Sequence, residues 1–340
     1  SVDDETHILE AALKQGVVLP YGCKNGACGS CKARIVSGEI IQDPHQPSAL
    51  TADEATRGYA LLCCARAASD VTVEARVVAA VGEIPIRKMP CRVSAIDRAA
   101  PDVIVIRLQL PASERLQYLA GQYIDLLLRD GTRRSYSMAT APGGAEGLEL
   151  HVRHMPGGKF TDSAFGVVQP ELKVRDILRL EGPLGTFFLR EDGAKPIVMV
   201  ASGTGFAPIK AIIEHVRGLI ESKGFDRPMT LYWGGRRPRD LYMNELCEQW
   251  ASDMPGFRYV PVISDALPED HWHGRTGFVH RAAMSDFPDM SELQVYACGA
   301  PVVVDSSRDD FIARCGLPAD EFYADAFVTA ADTAAVAEGP

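Results

Sequence analysis

Three cysteines crowd one short stretch near the start of the chain, Cys23-x4-Cys28-x2-Cys31, and an adjacent pair, Cys63-Cys64, follows further on. Thiolates are soft ligands that suit iron and zinc. Two irons bridged by sulfides need four of them. A tight loop can supply three and a distant segment the fourth, and C-x4-C-x2-C…C is a spacing that such [2Fe–2S] centres use. The loop between the first three is rich in small residues, Gly22, Gly26, Ala27, Gly29 and Ser30. Small residues let the backbone turn sharply and aim N–H groups at the sulfurs of a negatively charged cluster. Zinc ribbons present two C-x2-C-type pairs, which is a different spacing. The remaining cysteines are Cys91, Cys247, Cys298 and Cys315. An odd total of nine, weighted to one end, is no disulfide framework and fits a reducing compartment. Spacing leaves Cys63 and Cys64 equally eligible as the fourth ligand.

A second constellation begins at Arg134-Ser135-Tyr136-Ser137. An arginine can neutralise a pyrophosphate oxygen, a tyrosine ring can stack on an isoalloxazine, and the neighbouring Ser137 hydroxyl can reach the flavin N5 edge. The segment His151-Val152-Arg153-His154-Met155-Pro156-Gly157-Gly158-Lys159-Phe160-Thr161 follows. Its glycines precede an expected helix start, where free N–H groups suit a phosphate. The two histidines flank the flavin or sit near a strand end; a metal reading would need a third ligand, which has no candidate.

A third constellation is Val200-Ala201-Ser202-Gly203-Thr204-Gly205-Phe206-Ala207-Pro208. Gly203, Thr204 and Gly205 permit a tight turn and close approach to a pyrophosphate at a helix N-terminus, and Pro208 suits the first helical turn. Further on, Arg236 and Arg237 could hold a ribose 2′-phosphate, whereas Asp240 would repel one, so NADH and NADPH both stay open.

These residues need elements to position them. A chain of 340 residues, 46% apolar, is too long for one ordinary core and suits two or three domains. A helix is expected over 8–15 and an alternating strand over 71–75, with 79–85 as a linker. Short strands at 103–110, 122–128, 148–152 and 177–180, separated by Gly and Pro turns, predict a β-barrel or sandwich. From Pro196 the texture changes. Strands at 197–200, 229–233, 257–263 and 294–298 alternate with helical stretches, the first at 207–220, which predicts a parallel, doubly wound sheet. An Ala-rich tail covers 330–337. A net charge of −10 argues against a nucleic-acid partner. No apolar run reaches the ~20 residues that span a membrane. No signal peptide is visible, which fits a cytoplasmic protein, but the chain starts at Ser1 without Met, so targeting stays open.

Pro20-Tyr21-Gly22-Cys23-Lys24-Asn25-Gly26-Ala27-Cys28-Gly29-Ser30-Cys31 resembles the cluster loop of plant-type ferredoxins, and more closely the ferredoxin module fused to flavin reductases of bacterial oxygenases. The Arg134–Ser137 run is similar to the R-x-Y-[ST] motif of the ferredoxin–NADP⁺ reductase superfamily. The Gly203 loop resembles its G-x-G-x-x-P motif, and Cys298-Gly299-Ala300-Pro301 its C-G-x-P. Gly182-Pro183-Leu184-Gly185 looks like the turn that closes the superfamily's barrel.

The resemblance covers nearly the whole chain and implies a multidomain fold. A β-grasp [2Fe–2S] ferredoxin domain would span 1–82, with its first strand missing. An antiparallel β-barrel FAD domain would span 88–192, and an α/β Rossmann-like nucleotide domain 193–330. It implies Cys23, Cys28, Cys31 and Cys63 as ligands, because the last ligand is followed by one variable residue and then Ala, which Cys63-Cys64-Ala65 satisfies. It implies that His151, Val152, Gly158, Lys159, Phe160 and Thr161 lie at the FAD, the last four at its pyrophosphate. Cys298 would lie beside the nicotinamide, and Phe327 would pack at the flavin's nicotinamide face or else serve as a core aromatic.

Reductases of ring-hydroxylating oxygenases and of CDP-6-deoxy-hexulose dehydrases share all these motifs. The implied activity is electron transfer from NADH or NADPH to FAD, to the cluster, and out to an electron-accepting protein, foremost an oxygenase component and alternatively a dehydrase component. A passive carrier module would leave the flavin and nucleotide motifs idle. Direct hydride transfer to a small substrate would leave the cluster idle.

Overall fold

The computed structural model describes residues 5–78, 84–143 and 147–328. Most of the expected linker, 79–83, and the Ala-rich tail lie outside them. The chain forms two units, one from residues 1–85 with the chain end from Asp325, the other from Ile86 to Ala324.

In the first unit, helix α1 (Ile8–Lys14) buries Leu9 and Ala11. Strand β1 (Lys32–Ser37) lies between β3 (Tyr59–Leu61) and β5 (Thr72–Glu74), antiparallel to both, and β2 (Ile40–Gln42) pairs with β4 (Ala65–Ala67). Helix α2 (Ala52–Thr56) starts with a capping box: Thr51 accepts from the Glu54 amide while Glu54 accepts from that of Thr51. This small frame holds two things at fixed separation: the cysteine loop that runs into β1, and the Cys63-Cys64 corner between β3 and β4.

The second unit contains two sheets. The first is antiparallel, in the order β10 (Leu148–Arg153), β7 (Val103–Gln109), β6 (Arg87–Ala100), β11 (Ile177–Leu184), β8 (Tyr123–Leu127), β9 (Arg133–Ser137). A bridge between Met138 and Leu150 brings the end of β9 back onto β10 and closes the barrel. Its interior is apolar, with Val93, Ile106, Leu108, Ile124, Met138, Leu150, Val152 and Leu180 all fully buried. The one-turn helix α3 (Thr161–Ala164) follows β10.

The second sheet has the order β15 (Arg275–Thr276), β14 (Phe257–Ile263), β13 (Met229–Gly235), β12 (Ile197–Ser202), β16 (Gln294–Gly299), β17 (Phe322–Ala326). Its pairs from β15 to β16 are parallel. Residues 197–201 of β12 are all buried, as a central parallel strand covered on both faces requires. Helix α4 (Phe206–Lys223) follows it and ends at Gly224, whose φ of 66° gives a left-handed cap. Helices α5 (Asn244–Asp253), α6 (Val279–Asp286) and α7 (Pro301–Cys315) complete the crossovers. The predicted strands and the long helix at 207–220 all form, with ends shifted by up to four residues. Among the described residues no helix is long and apolar enough to cross a membrane.

Candidate cluster, flavin and nucleotide sites

In the cysteine loop Lys24, Gly26 and Gly29 have φ of 59°, 79° and 73°, so the chain repeatedly visits the left-handed region. Side chains would crowd the loop at two of its glycines, tightly at Gly22 and with a clash at Gly26. A Cβ on Gly22 would lie 3.3 Å from the Cys28 sulfur, and one on Gly26 would lie 2.7 Å from that of Cys64. Cys28, Cys31, Cys63 and Cys64 are buried, and Cys23 is half-buried. The thiols stand in pairs. Cys28 hydrogen-bonds Cys23 and Cys31 hydrogen-bonds Cys63, while the Cys64 sulfur lies 3.5 Å from that of Cys63.

The pairing fits two irons, each held by one pair of thiolates, better than a single ion. Amides turn toward the sulfurs as well: those of Asn25 and Ala27 toward Cys23, that of Gly26 toward Cys63. Within each pair the hydrogen bond lowers one thiol, Cys28 or Cys63, and raises its partner, Cys23 or Cys31. Each pair therefore shares a proton readily, and a thiolate in each is the form that binds metal.

On β9, alternation puts Arg134 and Tyr136 on one face and Ser135 on the other. The Tyr136 ring packs 5.4 Å from that of Phe160, which is buried, and burial pushes the phenol up. Arg134 donates to the carbonyl of Arg133 at 2.7 Å. The Ser135 hydroxyl donates to Asp125 at 2.7 Å, and Ser137 is buried. In the glycine segment Thr161 donates to the Met155 carbonyl and accepts from its amide, closing a tight loop over Gly158. The Gly157 and Gly158 amides bond within that loop, to Asp162 and Met155. The open end of α3 therefore begins at Lys159, whose ammonium pairs with Asp130 at 2.6 Å.

Residues Gly203–Gly205 form a single 3-10 turn between β12 and α4, and Pro208 lies in the first turn of α4. Gly205 has no alternative, since a Cβ there would lie 2.3 Å from the carbonyl oxygen of Cys298. Gly299, at φ 128°, comes equally close to Ser202, whose hydroxyl accepts from the Ala300 amide at 2.9 Å. The two motif loops are thus in direct contact, with Thr204 between the two glycines and Cys298 fully buried behind them. Trp233 donates to the Gly203 carbonyl, and its ring stacks on Phe206 with centroids 4.0 Å apart.

The Arg237 guanidinium makes two bonds to Asp270, 2.7 and 2.8 Å long. The amides of Arg236 and Arg237 both donate to the Asp240 carboxylate. Near the chain end Phe322 packs into the core of the parallel sheet and Tyr323 stacks on Tyr296, whereas Phe327 is half-buried just past β17 and falls with the first unit.

His151 has polar partners of its own. The His151 side chain is wholly buried, and both its ring nitrogens are engaged, with Glu149 and with Tyr242. His154 bonds Asp162 at 2.9 Å and stacks on Phe165. Glu149, Lys210, Tyr242 and Asp270 were not anticipated. The legible signal was the alternation Glu149, His151, Arg153 on one strand face, and a lysine amid the apolar run Ile209–Ile213.

The chain's three regions each match a domain family: the 2Fe-2S iron-sulfur cluster binding domain over residues 1–68, the oxidoreductase FAD-binding domain over 90–189 and the oxidoreductase NAD-binding domain over 199–309. Cluster thiols, flavin barrel and nucleotide sheet in one chain define an iron–sulfur flavoprotein reductase. The CDP-6-deoxy-L-threo-D-glycero-4-hexulose-3-dehydrase reductase of Yersinia pseudotuberculosis is 41% identical over 326 residues, 96% of this chain and 94% of that protein. A reductase component of terephthalate 1,2-dioxygenase from Comamonas is 37% identical over 324 residues, 95% of this chain and 92% of that protein. The crystal structure of the Amycolatopsis cytochrome P450 reductase GcoB superposes with a TM-score of 0.74 at 34% identity, covering 97% of this chain and 96% of that one. The protein belongs to this family of ferredoxin-fused, FAD- and NAD(P)H-dependent reductases.

Proposed function

We propose that this reductase delivers electrons to an oxygenase component, with Cys23, Cys28, Cys31 and Cys63 as cluster ligands. Arg134, Tyr136, Ser137 and the amides of Lys159, Phe160 and Thr161 hold the FAD. Gly203, Thr204, Gly205 and Pro208 cradle the nucleotide pyrophosphate, and Cys298 closes the nicotinamide end of that loop. The proposed domain limits are 1–82, 88–192 and 193–330, and the compartment is cytoplasmic, in keeping with nine free cysteines. FAD, when bound, accepts a hydride and releases single electrons, which lets a two-electron donor feed a one-electron cluster.

The chain's own contributions are positional. Tyr136 offers a flat face rigidified by Phe160, and Gly205 lets the nucleotide's phosphates approach the backbone. We further propose NADH as the donor. Asp270 occupies Arg237, and the Asp240 carboxylate in the same turn would repel a 2′-phosphate.

The observation that carries the oxygenase assignment is near full-length similarity to reductase components of chemically different oxygenases, for terephthalate, phenol and propane. The 41% identity to the dehydrase reductase supports the second reading, a deoxysugar dehydrase as partner. The test is NADH oxidation by the purified holoprotein with either purified partner. Turnover with an oxygenase component and none with a dehydrase component is expected, and the reverse result would transfer the assignment.

A further inference from the structure

Barrel and parallel sheet are joined by a buried chain of charged and polar groups that no cofactor motif accounts for. Glu149 and His151 project from the same face of β10, opposite Leu148, Leu150 and Val152, which fill the barrel. Lys210 comes from the second turn of α4, just past the nucleotide loop. The side chains of His151, Lys210 and Glu149 are 0%, 8% and 9% exposed.

The Lys210 ammonium meets Glu149 at 3.1 Å, Glu214 at 2.6 Å and the Ala139 carbonyl at 3.0 Å, so its three protons are all taken. The same carboxylate oxygen that meets Lys210, Oε1, also accepts from His151 at 2.9 Å, and Arg107 stands 3.4 Å from Oε2. The ionised carboxylate fixes the His151 tautomer: Nε2–H donates to Glu149, and Nδ1 accepts from the Tyr242 hydroxyl at 2.8 Å. Tyr242 in turn packs edge-on against Phe206 and Trp233.

Four segments are thereby registered to one another. They are Ala139, two residues past Ser137; β10, which enters the glycine segment; α4, which leaves the Gly203 loop; and Tyr242, which follows the Arg236–Asp240 turn. Apolar packing could hold these pieces together, but it tolerates sliding. A saturated network of charges and directional bonds does not, and breaking one side leaves a buried charge unpaired. Hydride transfer is steeply sensitive to such register, a displacement of ~1 Å costing roughly a hundredfold in rate.

We propose that Lys210, Glu149, His151 and Tyr242 form a positioning relay that sets the flavin-bearing strands against the nucleotide loop for hydride transfer. The proposal rests on the reading of the chain as an NAD(P)H-dependent flavin reductase. Its side chains act as positioning groups, through the segments they hold.

The test is stopped-flow reduction of the flavin by NADH in the full-length holoprotein, with FAD content and cluster absorption measured alongside. Glu149→Gln and Lys210→Met should each lower the limiting rate about tenfold to a hundredfold, with an apparent NADH dissociation constant changed less than about threefold. The double variant should be no slower than the slower single one, because it removes the charge that either single variant strands. Tyr242→Phe, which deletes one hydrogen bond, should show a smaller loss in the same direction. If either single variant sheds its FAD, the double variant and Tyr242→Phe decide. Limiting rates within twofold of the parent, or a change confined to NADH affinity, would overturn the proposal. A parent protein whose flavin NADH and NADPH both leave oxidised would instead overturn the reading on which it rests.

Discussion

The cysteine loop and the barrel–sheet junction are both polar, buried and tightly constrained, but they are built in opposite ways. The loop is local. Three of its four proposed ligands fall within nine residues, and its geometry is dictated by left-handed glycines and amides aimed at sulfur. The junction is long-range, with Glu149, Lys210 and Tyr242 converging from β10, α4 and the stretch after β13. A local site tolerates no change in residue type but little depends on its distant surroundings. A long-range site depends on several elements and degrades by degrees.

The sharpest way to break that contrast is at the cysteines. Cys28→Ser should abolish delivery to the partner while leaving NADH reduction of the flavin intact, read as partner turnover against flavin bleaching. Cys63→Ser should likewise lose or strongly alter the visible cluster absorption, and Cys64→Ser should keep it. Retention in Cys63→Ser with loss in Cys64→Ser would move the fourth ligand to Cys64.

Next come two glycines near α4. Gly205→Ala drives a methyl into the Cys298 carbonyl and should cost about 1–3 kcal/mol of stability and raise the KM for NADH about tenfold. Gly218→Ala, in the middle of the same helix with nothing within 4 Å, should add about 0.5–1 kcal/mol by thermal denaturation. Equal effects at both positions would mean that the close approach at Gly205 is not what selects glycine there.

A smaller change is expected at the ribose end. Asp270→Asn weakens the hold on Arg237 and should narrow the NADH-over-NADPH preference in kcat/KM several-fold, by about 1 kcal/mol. An unchanged ratio would show that Asp270 has no part in the choice.

The gentlest probe is acid. Burial pushes His151 below its ordinary 6.5. Burial alone would raise the Glu149 carboxyl, but the His151 hydrogen bond and the Lys210 charge outweigh it and hold it at about 2. Below pH 6.5 the unfolded chain takes up a proton at His151 that the folded one refuses, and below 4.5 it takes up another at Glu149. Stability of the second unit should therefore fall as pH drops from about 7 toward 4, and His151→Gln should flatten the upper part of that slope. A melting temperature independent of pH over this range would contradict the buried, neutral His151.

Sequence alone determined the cofactor set, the order of the three regions and most strands, because each rests on short spacings. Cys23-x4-Cys28-x2-Cys31, Arg134–Ser137 and Gly203–Gly205 are local patterns whose chemistry depends on neighbours along the chain. Period-2 and period-3.6 apolar repeats mark the elements between them. Tertiary structure alone decided which polar side chains lie free and which are already engaged. Nothing near Arg237 in the sequence announces its bidentate partner Asp270, from beyond β14. Nothing around His151 in the sequence announces that Tyr242 and Glu149 take both its ring nitrogens. The physical reason is that a side chain's availability depends on partners brought close by strand order and helix packing, and neither leaves a trace in the spacing of the residues themselves.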